Sequence, residues 1–207
     1  MKNLGLKTFA LGVLGTNSYV VYDKETRNAF IIDAPWPFDE INQFIEKEKL
    51  NVIFLLLTHG HFDHIGGLRG QFFPFAVHKD DDQLLKNSVM NGSIYFNSSV
   101  KIDRDANFFL EEKTPIKFDS FALDILHTPG HTPGSVCIKI GNWLFSGDTI
   151  FLGTVGRTDT PLGSCESLKK SIDDKIIGLP EDTIIYPGHG APTTIERELQ
   201  ENPFLKK

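Results

Sequence analysis

Thr58-His59-Gly60-His61-Phe62-Asp63-His64 sets three histidines and an aspartate within seven residues, directly after the apolar run Val52-Ile53-Phe54-Leu55-Leu56-Leu57. A run of that length without polar alternation reads as a β-strand buried on both faces. The histidine motif therefore sits at a strand's end. Histidines at i and i+2 diverge on a helix, which excludes the helical His-x-x-x-His arrangement of metalloproteases. In an extended or turning loop the two can point the same way. One His-x-His alone is more often a surface feature or a hydrogen-bonded core pair than a metal site. The weight therefore falls on what recurs elsewhere.

The arrangement recurs three times further along. Thr128-Pro129-Gly130-His131 follows Ala122–Leu126, Ser146-Gly147-Asp148 follows Trp143-Leu144-Phe145, and Tyr186-Pro187-Gly188-His189 follows Ile184-Ile185. Each pairs a glycine, which permits turn conformations and close backbone approach, with a ligand-type side chain. Three histidines from two loops, His59, His61 and His131, satisfy one metal ion. Asp63, His64 and His189 satisfy a second, and Asp148 is a carboxylate able to bridge the two. Imidazole and carboxylate without thiolate suit zinc first, with iron or manganese also accepted. Two divalent cations less two carboxylates, Asp63 and Asp148, and one bridging hydroxide leave a centre of about +1. Such a centre activates water and stabilises an oxyanion, which is hydrolytic chemistry.

Around these motifs the chain reads as alternating strands and helices. Strands are expected at about 6–14, 17–23, 28–33, 52–57, 75–78, 115–127, 134–140, 142–147 and 183–186. Helices are expected over Phe38–Leu50, with Ile41, Phe44 and Ile45 as its apolar stripe, and over Ile65–Phe73 and Asp81–Val89. A further helix is capped by Ser164 with Leu168, Ile172 and Ile176 on one face, and a polar one lies near 194–201. The stretch from Asn91 to Glu112 is the least regular. Helices covering buried strands make the class α/β with sheet layers between helical layers.

Composition bounds the rest. At 207 residues, 40% hydrophobic and 23% charged, one domain over 1–207 is expected and a disordered chain is excluded. A net charge of −6 argues against a nucleic-acid partner bound through a general basic surface. No apolar run approaches the ~20 residues of a membrane span. Lys2 and Lys7 ahead of Phe9–Gly15 sketch a weak signal peptide, but no Ala-x-Ala site follows and strand-like residues continue after Asn17. Two cysteines, Cys137 and Cys165, build no disulfide framework and fit the cytoplasm. Cys137, in an apolar alternation, reads as a buried strand residue.

With these residues in place the sequence resembles the metallo-β-lactamase-fold hydrolases. Thr-His-Gly-His-Phe-Asp-His matches that superfamily's His-x-His-x-Asp-His signature, and His131, Asp148 and His189 follow in the order of its later motifs. The resemblance implies a four-layered αβ/βα sandwich, two mixed β-sheets flanked by helices, with metals at one edge between the sheets. It looks closest to the short glyoxalase II-like proteins, the hydroxyacylglutathione hydrolases. His127–Ser135, Gly156-Arg157-Thr158-Asp159 and Tyr186–Gly190 resemble that group. The pattern departs in two places: Asp33-Ala34-Pro35 stands where Asp-x-Gly is usual, and Lys207 follows His189 without the helical C-terminal region of full-length glyoxalase II.

The activity so implied is thioester hydrolysis, of S-D-lactoylglutathione or a related small hydroxyacyl thioester, by attack of a metal-bridging hydroxide, with Asp63 and Asp148 in the catalytic centre. A thiolate of pKa ~8.5 leaves without a strong acid. Arg157 is a candidate for a substrate carboxylate, with an ion pair to Asp159 as the competing reading. Phe62 is a candidate for the pocket wall. His127 reads as a strand-end histidine bonded to backbone, or as a support for the metal site, and His78, before Lys79-Asp80-Asp81-Asp82, reads as surface or loop. The main rival is a persulfide dioxygenase with one iron on His59, His131 and Asp148, against which Pro187–Thr194 looks more hydrolase-like. Lactonase, β-lactamase or phosphodiesterase chemistry on the same fold ranks lower. A non-enzymatic binding module ranks last, since none of the seven ligand-type residues is missing.

Overall fold

A computed structural model describes residues 3–205; Met1, Lys2, Lys206 and Lys207, the ends of the expected 1–207 domain, lie outside the described residues. The first half runs β1 (Leu4–Leu11), β2 (Thr16–Asp23), β3 (Asn28–Ile32), α1 (Asp39–Glu48), β4 (Asn51–Leu56), α2 (Phe62–Ile65), β5 (Phe75–Val77), α3 (Asp82–Lys86) and β6 (Phe108–Phe109). The second runs β7 (Ile116–Phe118), β8 (Phe121–His127), β9 (Val136–Ile140), β10 (Trp143–Gly147), β11 (Ile150–Phe151), β12 (Thr154–Val155), α4 (Cys165–Lys175), β13 (Ile184–Pro187), β14 (Thr193–Thr194) and α5 (Ile195–Glu201). One six-stranded sheet has the order β1-β2-β3-β4-β5-β6 and the other β14-β13-β10-β9-β8-β7. Both are mixed: β3-β4-β5-β6 and β10-β13 are parallel pairs, while β1-β2-β3 and β8-β9-β10 run antiparallel.

Strand alternation builds the layers. In β3, Ala29 and Ile31 pack with Ile41 of α1, whereas Phe30 and Ile32 face the opposite way and meet Phe118, Ile138 and Phe145 of the second sheet. In β10, Phe145 joins that inter-sheet core while Leu144 turns outward onto Leu168 and Ile172 of α4. Side chains with period two thus serve a helix on one face and a sheet on the other. The result is three apolar cores and four layers, an αβ/βα sandwich. Cys137 of β9 is fully buried in the α4-side core, and burial pushes its thiol up to about 11.

Several elements differ from their sequence-based expectation. The helix expected over Ile65–Phe73 starts earlier, at Phe62, and gives way to a 3-10 turn at Gly66–Leu68. The strand expected over 115–127 is a hairpin, β7 and β8, folded at Asp119 in the left-handed region (φ 49°). The helix expected at 81–89 is a 3-10 turn at Lys79–Asp81 followed by the single turn of α3. The first strand begins at Leu4 and ends at Leu11, short of 14. β4 is buried on both faces only in its last half: Phe54, Leu55 and Leu56 are buried, whereas Ile53 is 39% exposed. The two-residue strands β6, β11, β12 and β14 carry no sequence signal of their own. No helix among the described residues is long and apolar enough to cross a membrane.

Candidate metal centre

All four histidine and aspartate loops leave the carboxyl ends of β4, β8, β10 and β13, strands that end at one edge of the sandwich. That edge is where α/β sheets place ligands. The two sheets are stitched together there. Asn17 N–H donates to Gly188 O at 2.7 Å, its side-chain amide donates to Pro187 O and Gly190 O at 2.9 Å each, and Val136 N–H donates to Thr58 O at 2.9 Å.

Seven side chains converge. His59, His61 and His131 are all buried and offer ring nitrogens close enough together to share one ion, and Asp63, His64 and His189 form a second such group. His61 Nδ1 and His131 Nε2 face each other at 2.8 Å. Asp148 lies between the groups, with Oδ1 3.4 Å from His64 Nε2 and Oδ2 3.4 Å from His131 Nε2 and 3.6 Å from His189 Nε2. Asp63 Oδ2 accepts from Thr16 Oγ1 at 2.7 Å and stands 3.3 Å from His189 Nε2. At Gly188 an added Cβ would fall on Asp148 Oδ1 and within 2.8 Å of His64 Cε1, so the backbone passes where no other residue fits.

Four of the five imidazoles are held by the far nitrogen. His131 Nδ1–H donates to Arg157 O at 2.8 Å, His64 Nδ1–H to Asp33 Oδ2 at 2.8 Å, and His189 Nδ1–H to Leu14 O at 3.2 Å. Thr58 Oγ1 donates to Asp33 Oδ2 at 2.8 Å and accepts from His59 Nδ1–H at 3.0 Å. Carbonyl and carboxylate partners fix the tautomers, leaving the Nε2 lone pairs of all four rings pointed at the centre. His59 Nε2 and Asp148 Oδ1 are buried and have no hydrogen-bond partner, a costly state that a bound cation relieves. The donor set therefore fits divalent metal.

The electrostatics agree. Burial, reinforced by the charged forms of neighbouring imidazoles, holds His61 down to about 3 and His59 well below its ordinary value, so both stay neutral donors. Burial opposes ionisation of Asp148, but the positive forms of His64, His131 and His189 outweigh it and bring its carboxyl to about 2. Asp63 is likewise held ionised against burial, by His64 and His189.

Two supporting carboxylates lie outside the four strand-end loops. Asp33, in the Asp-Ala-Pro turn, adopts φ 60° and accepts from Thr58 N–H at 2.8 Å as well as from Thr58 Oγ1 and His64. The departure from Asp-x-Gly thus leaves its grip on the histidine loop intact. Asp81, at the start of the helix expected over 81–89 and assigned no role by the sequence, is fully buried. Its Oδ2 accepts from Gly60 N–H at 2.8 Å and Thr132 Oγ1 at 2.7 Å, and its Oδ1 from Gly134 N–H at 2.7 Å. One side chain therefore ties the loop of His59 and His61 to the loop of His131. Gly134 is glycine because a Cβ would lie 2.7 Å from Asp81 itself.

The remaining candidates separate. The Arg157 guanidinium is exposed and bonded twice to Asp159, at 2.7 and 2.9 Å, while its backbone carbonyl holds His131. Phe62 lines the cavity over the centre and packs on Phe96, ring centroids 4.8 Å apart. His127 Nε2–H donates to Pro133 O at 2.9 Å, the backbone-bonded role. His78 lies in a loop, the second of its two expected placements, is buried there, and stacks on His127 at 4.0 Å and 14°. Asp80 completes a third His/Asp group there, but lone pairs in two nearly parallel ring planes do not converge on one point. The cavity holds about 1170 Å³ and reaches from His61, His131, Asp148 and His189 to Arg157 and Tyr95.

Residues 11–189 match the Metallo-beta-lactamase superfamily. The chain belongs to that superfamily. The hydroxyacylglutathione hydrolase GloC of Haemophilus influenzae is 38% identical over 199 residues, covering 91% of this chain and 92% of that one. Among solved structures, the B3 metallo-β-lactamase BLEG-1 superposes with a TM-score of 0.93 at 36% identity, over 98% of this chain and 100% of that chain. TTHA1623 in a di-iron-bound form superposes at 0.84 with 31% identity, over 96% of this chain and 100% of that chain. For a member of this superfamily, the four-layered sandwich and the His/Asp clusters at its edge are one design: the sheets bring four strand-end loops together, and the loops carry the donors.

Proposed function

We propose that this protein is a metal-dependent thioester hydrolase acting on S-D-lactoylglutathione or a related hydroxyacyl thioester. The observation that carries the reading is the meeting of the two histidine groups at one carboxylate, Asp148. Full occupancy of seven donor positions supports a two-ion centre over a single iron on His59, His131 and Asp148. GloC supports the substrate class and the di-iron form of TTHA1623 the metal count.

Two divalent ions there, zinc first with iron or manganese also suited, would polarise a carbonyl and supply nucleophilic water near neutral pH. His59, His61 and His131 are the proposed holders of one ion, Asp63, His64 and His189 of the other, and Asp148 of both. Asp33 and the Arg157 carbonyl keep His64 and His131 aimed. The buried histidines exclude bulk water from the floor of the cavity, which strengthens every charge interaction made there. A thiolate leaves without a proton donor, so the cavity needs none. Arg157 meets a substrate carboxylate only by exchanging it for Asp159. Free cysteines, Cys137 and Cys165, support a cytoplasmic setting, and a net charge of −6 supports a small-molecule partner over nucleic acid. A second reading, β-lactam hydrolysis at the same centre, draws on the likeness to BLEG-1.

The test is anaerobic hydrolysis of S-D-lactoylglutathione by protein loaded in turn with zinc, iron and manganese. Metal-dependent turnover near or above ~10⁴ M⁻¹s⁻¹ in kcat/KM is the expected result. No turnover with any metal, alongside ring opening of a chromogenic cephalosporin, would move the assignment to the second reading. Oxygen uptake with glutathione persulfide would move it to the iron dioxygenase.

A further inference from the structure

Resting on the thioester reading, we propose that the acyl group this site selects is bulky and apolar, an aryl- or long-alkyl-substituted 2-hydroxyacyl group rather than lactoyl. Fourteen large apolar side chains are exposed on the described chain, and Leu14, Tyr95, Phe96 and Leu152 among them line the one cavity that holds the histidines. They come from three places far apart in sequence: the β1–β2 turn, the 3-10 turn Ser93–Phe96, and the β11–β12 turn. Tyr95 is 66% and Phe96 49% exposed. Convergence of exposed apolar groups from separate loops on one concave site marks a ligand surface, not scattered decoration.

Position decides which part of the substrate meets this wall. Phe62 lies between His61 and Asp63 in the chain, one residue from each histidine group, and its ring packs on Phe96. The aromatic wall therefore begins beside the reacting carbonyl, and of the two groups on that carbon the glutathionyl is polar and carries two carboxylates, so an apolar wall suits the acyl side. A methyl group, as in lactoyl, leaves most of that wall in water. A phenyl ring or branched alkyl chain covers it, and aromatic faces in particular discriminate beyond the area they bury.

The thiol side finds much less. Among the described residues lining the cavity, Arg157 is the single Lys or Arg, and one edge of its guanidinium, Nε and Nη2, is already paired with Asp159. Glutathione brings two carboxylates and meets a single cation there, one that is already paired. Selectivity is thus exerted on the acyl group, and the thiol is weakly discriminated.

The experiment compares S-mandeloylglutathione with S-lactoylglutathione, substrates that differ only by phenyl for methyl, and mandeloyl on glutathione with mandeloyl on N-acetylcysteamine. The expected kcat/KM favours mandeloyl by at least about tenfold, the size of effect one apolar contact supplies in a pocket. The change of thiol is expected to alter it less than tenfold. Phe96→Ala lowers the mandeloyl-to-lactoyl ratio by about tenfold, whereas Phe72→Ala, exposed and outside the cavity, leaves the ratio unchanged. Equal rates for the two acyl groups, or a ratio that Phe96→Ala does not move, would overturn the proposal. If neither thioester is hydrolysed, the thioester reading itself fails, and the wall is read by calorimetry with thioethers that lack the carbonyl. S-(2-hydroxy-2-phenylethyl)glutathione then binds at least tenfold tighter than S-(2-hydroxypropyl)glutathione, or the acyl-group inference falls as well.

Discussion

Replacing Asp81 by alanine tests whether one buried carboxylate holds the histidine loops in register. The change removes three hydrogen bonds of 2.7–2.8 Å and leaves the buried N–H groups of Gly60 and Gly134 without an acceptor. Thr132 Oγ1 fares better, because Ser135 Oγ remains 2.7 Å away. A buried orphan costs ~1–3 kcal/mol, so two cost ~2–6. Some is returned, because burial holds the Asp81 carboxyl above its ordinary value despite its donors, and its desolvation disappears with it. The net expectation is a loss of about 2–5 kcal/mol, or a melting temperature lower by ~4–20 °C at this chain length. Asp81→Asn should cost less. Its amide oxygen can serve Gly60 and Thr132 together, leaving one donor–donor contact at Gly134. The assay is a calorimetric melt of chelated protein, followed by competition for cobalt(II) against a chromogenic chelator. Because the bonds flank His59, His61 and His131, ion affinity at that group should fall about 10–100-fold, as when supports of metal-binding histidines are lost elsewhere. An alanine variant that melts within 1–2 °C of the parent and binds cobalt equally well refutes the reasoning.

Other outcomes follow from the same geometry. Asp148→Ala should remove the carboxylate between the groups, lowering bound metal by elemental analysis to one ion or fewer per chain and turnover by ~10³-fold or more; parental metal content and rate would end the two-ion reading. Gly188→Ala puts a methyl group onto Asp148 Oδ1 and beside His64. It should mimic the loss of metal in Asp148→Ala while far-ultraviolet dichroism stays parental. Removing metal with a chelator should lower the melting temperature by ~5–11 °C if the free ion had stood at about a hundred times its Kd, a linkage of ~2.7 kcal/mol; equal melts with and without chelator would argue against a folded-state metal site.

What could be read from the sequence is what the chain encodes locally. His59, His61, Asp63 and His64 occupy one loop, and each further donor follows its own strand and glycine, so spacing and turn chemistry sufficed. The hydrogen bonds that make these donors a site are not local. Asp33 reaches Thr58 and His64 from 25 and 31 residues away, and Asp81 reaches Gly134 across 53. Within Lys79-Asp80-Asp81-Asp82 nothing distinguishes the buried aspartate from its exposed neighbours. The hairpin of β7 and β8 was hidden for a different reason: Asp119-Ser120 makes a two-residue turn with no glycine, so apolar residues on either side read as one strand. The layers came from the family resemblance and the strand order from the structure alone, since periodicity says which face is buried and never which neighbour covers it.

The buried charges give an independent argument for cations. Asp33 and Asp81 are almost wholly buried, and the Asp63 and Asp148 side chains are only 12% and 11% exposed. Among the described residues no lysine or arginine pairs with any of the four. A fold that needed carboxylates only to fasten loops could have used threonine or asparagine at the same points without the cost of desolvating anions. Asp63 and Asp148 face the inward histidine nitrogens, Asp33 bonds His64 from behind, and Asp81 bonds the loops that carry His59, His61 and His131, so their field adds at a single place. Carboxylates focused on imidazole lone pairs raise the local affinity for positive charge, and the +4 of two divalent ions would match the four of them charge for charge. That balance makes Asp33 and Asp81 part of the site's electrostatics as well as its scaffold. It separates Asp81→Asn from Asp81→Ala in kind as well as in degree: asparagine keeps most of the fastening but none of the charge. A loss of cobalt affinity in Asp81→Asn larger than its small loss of stability explains would assign the difference to the field.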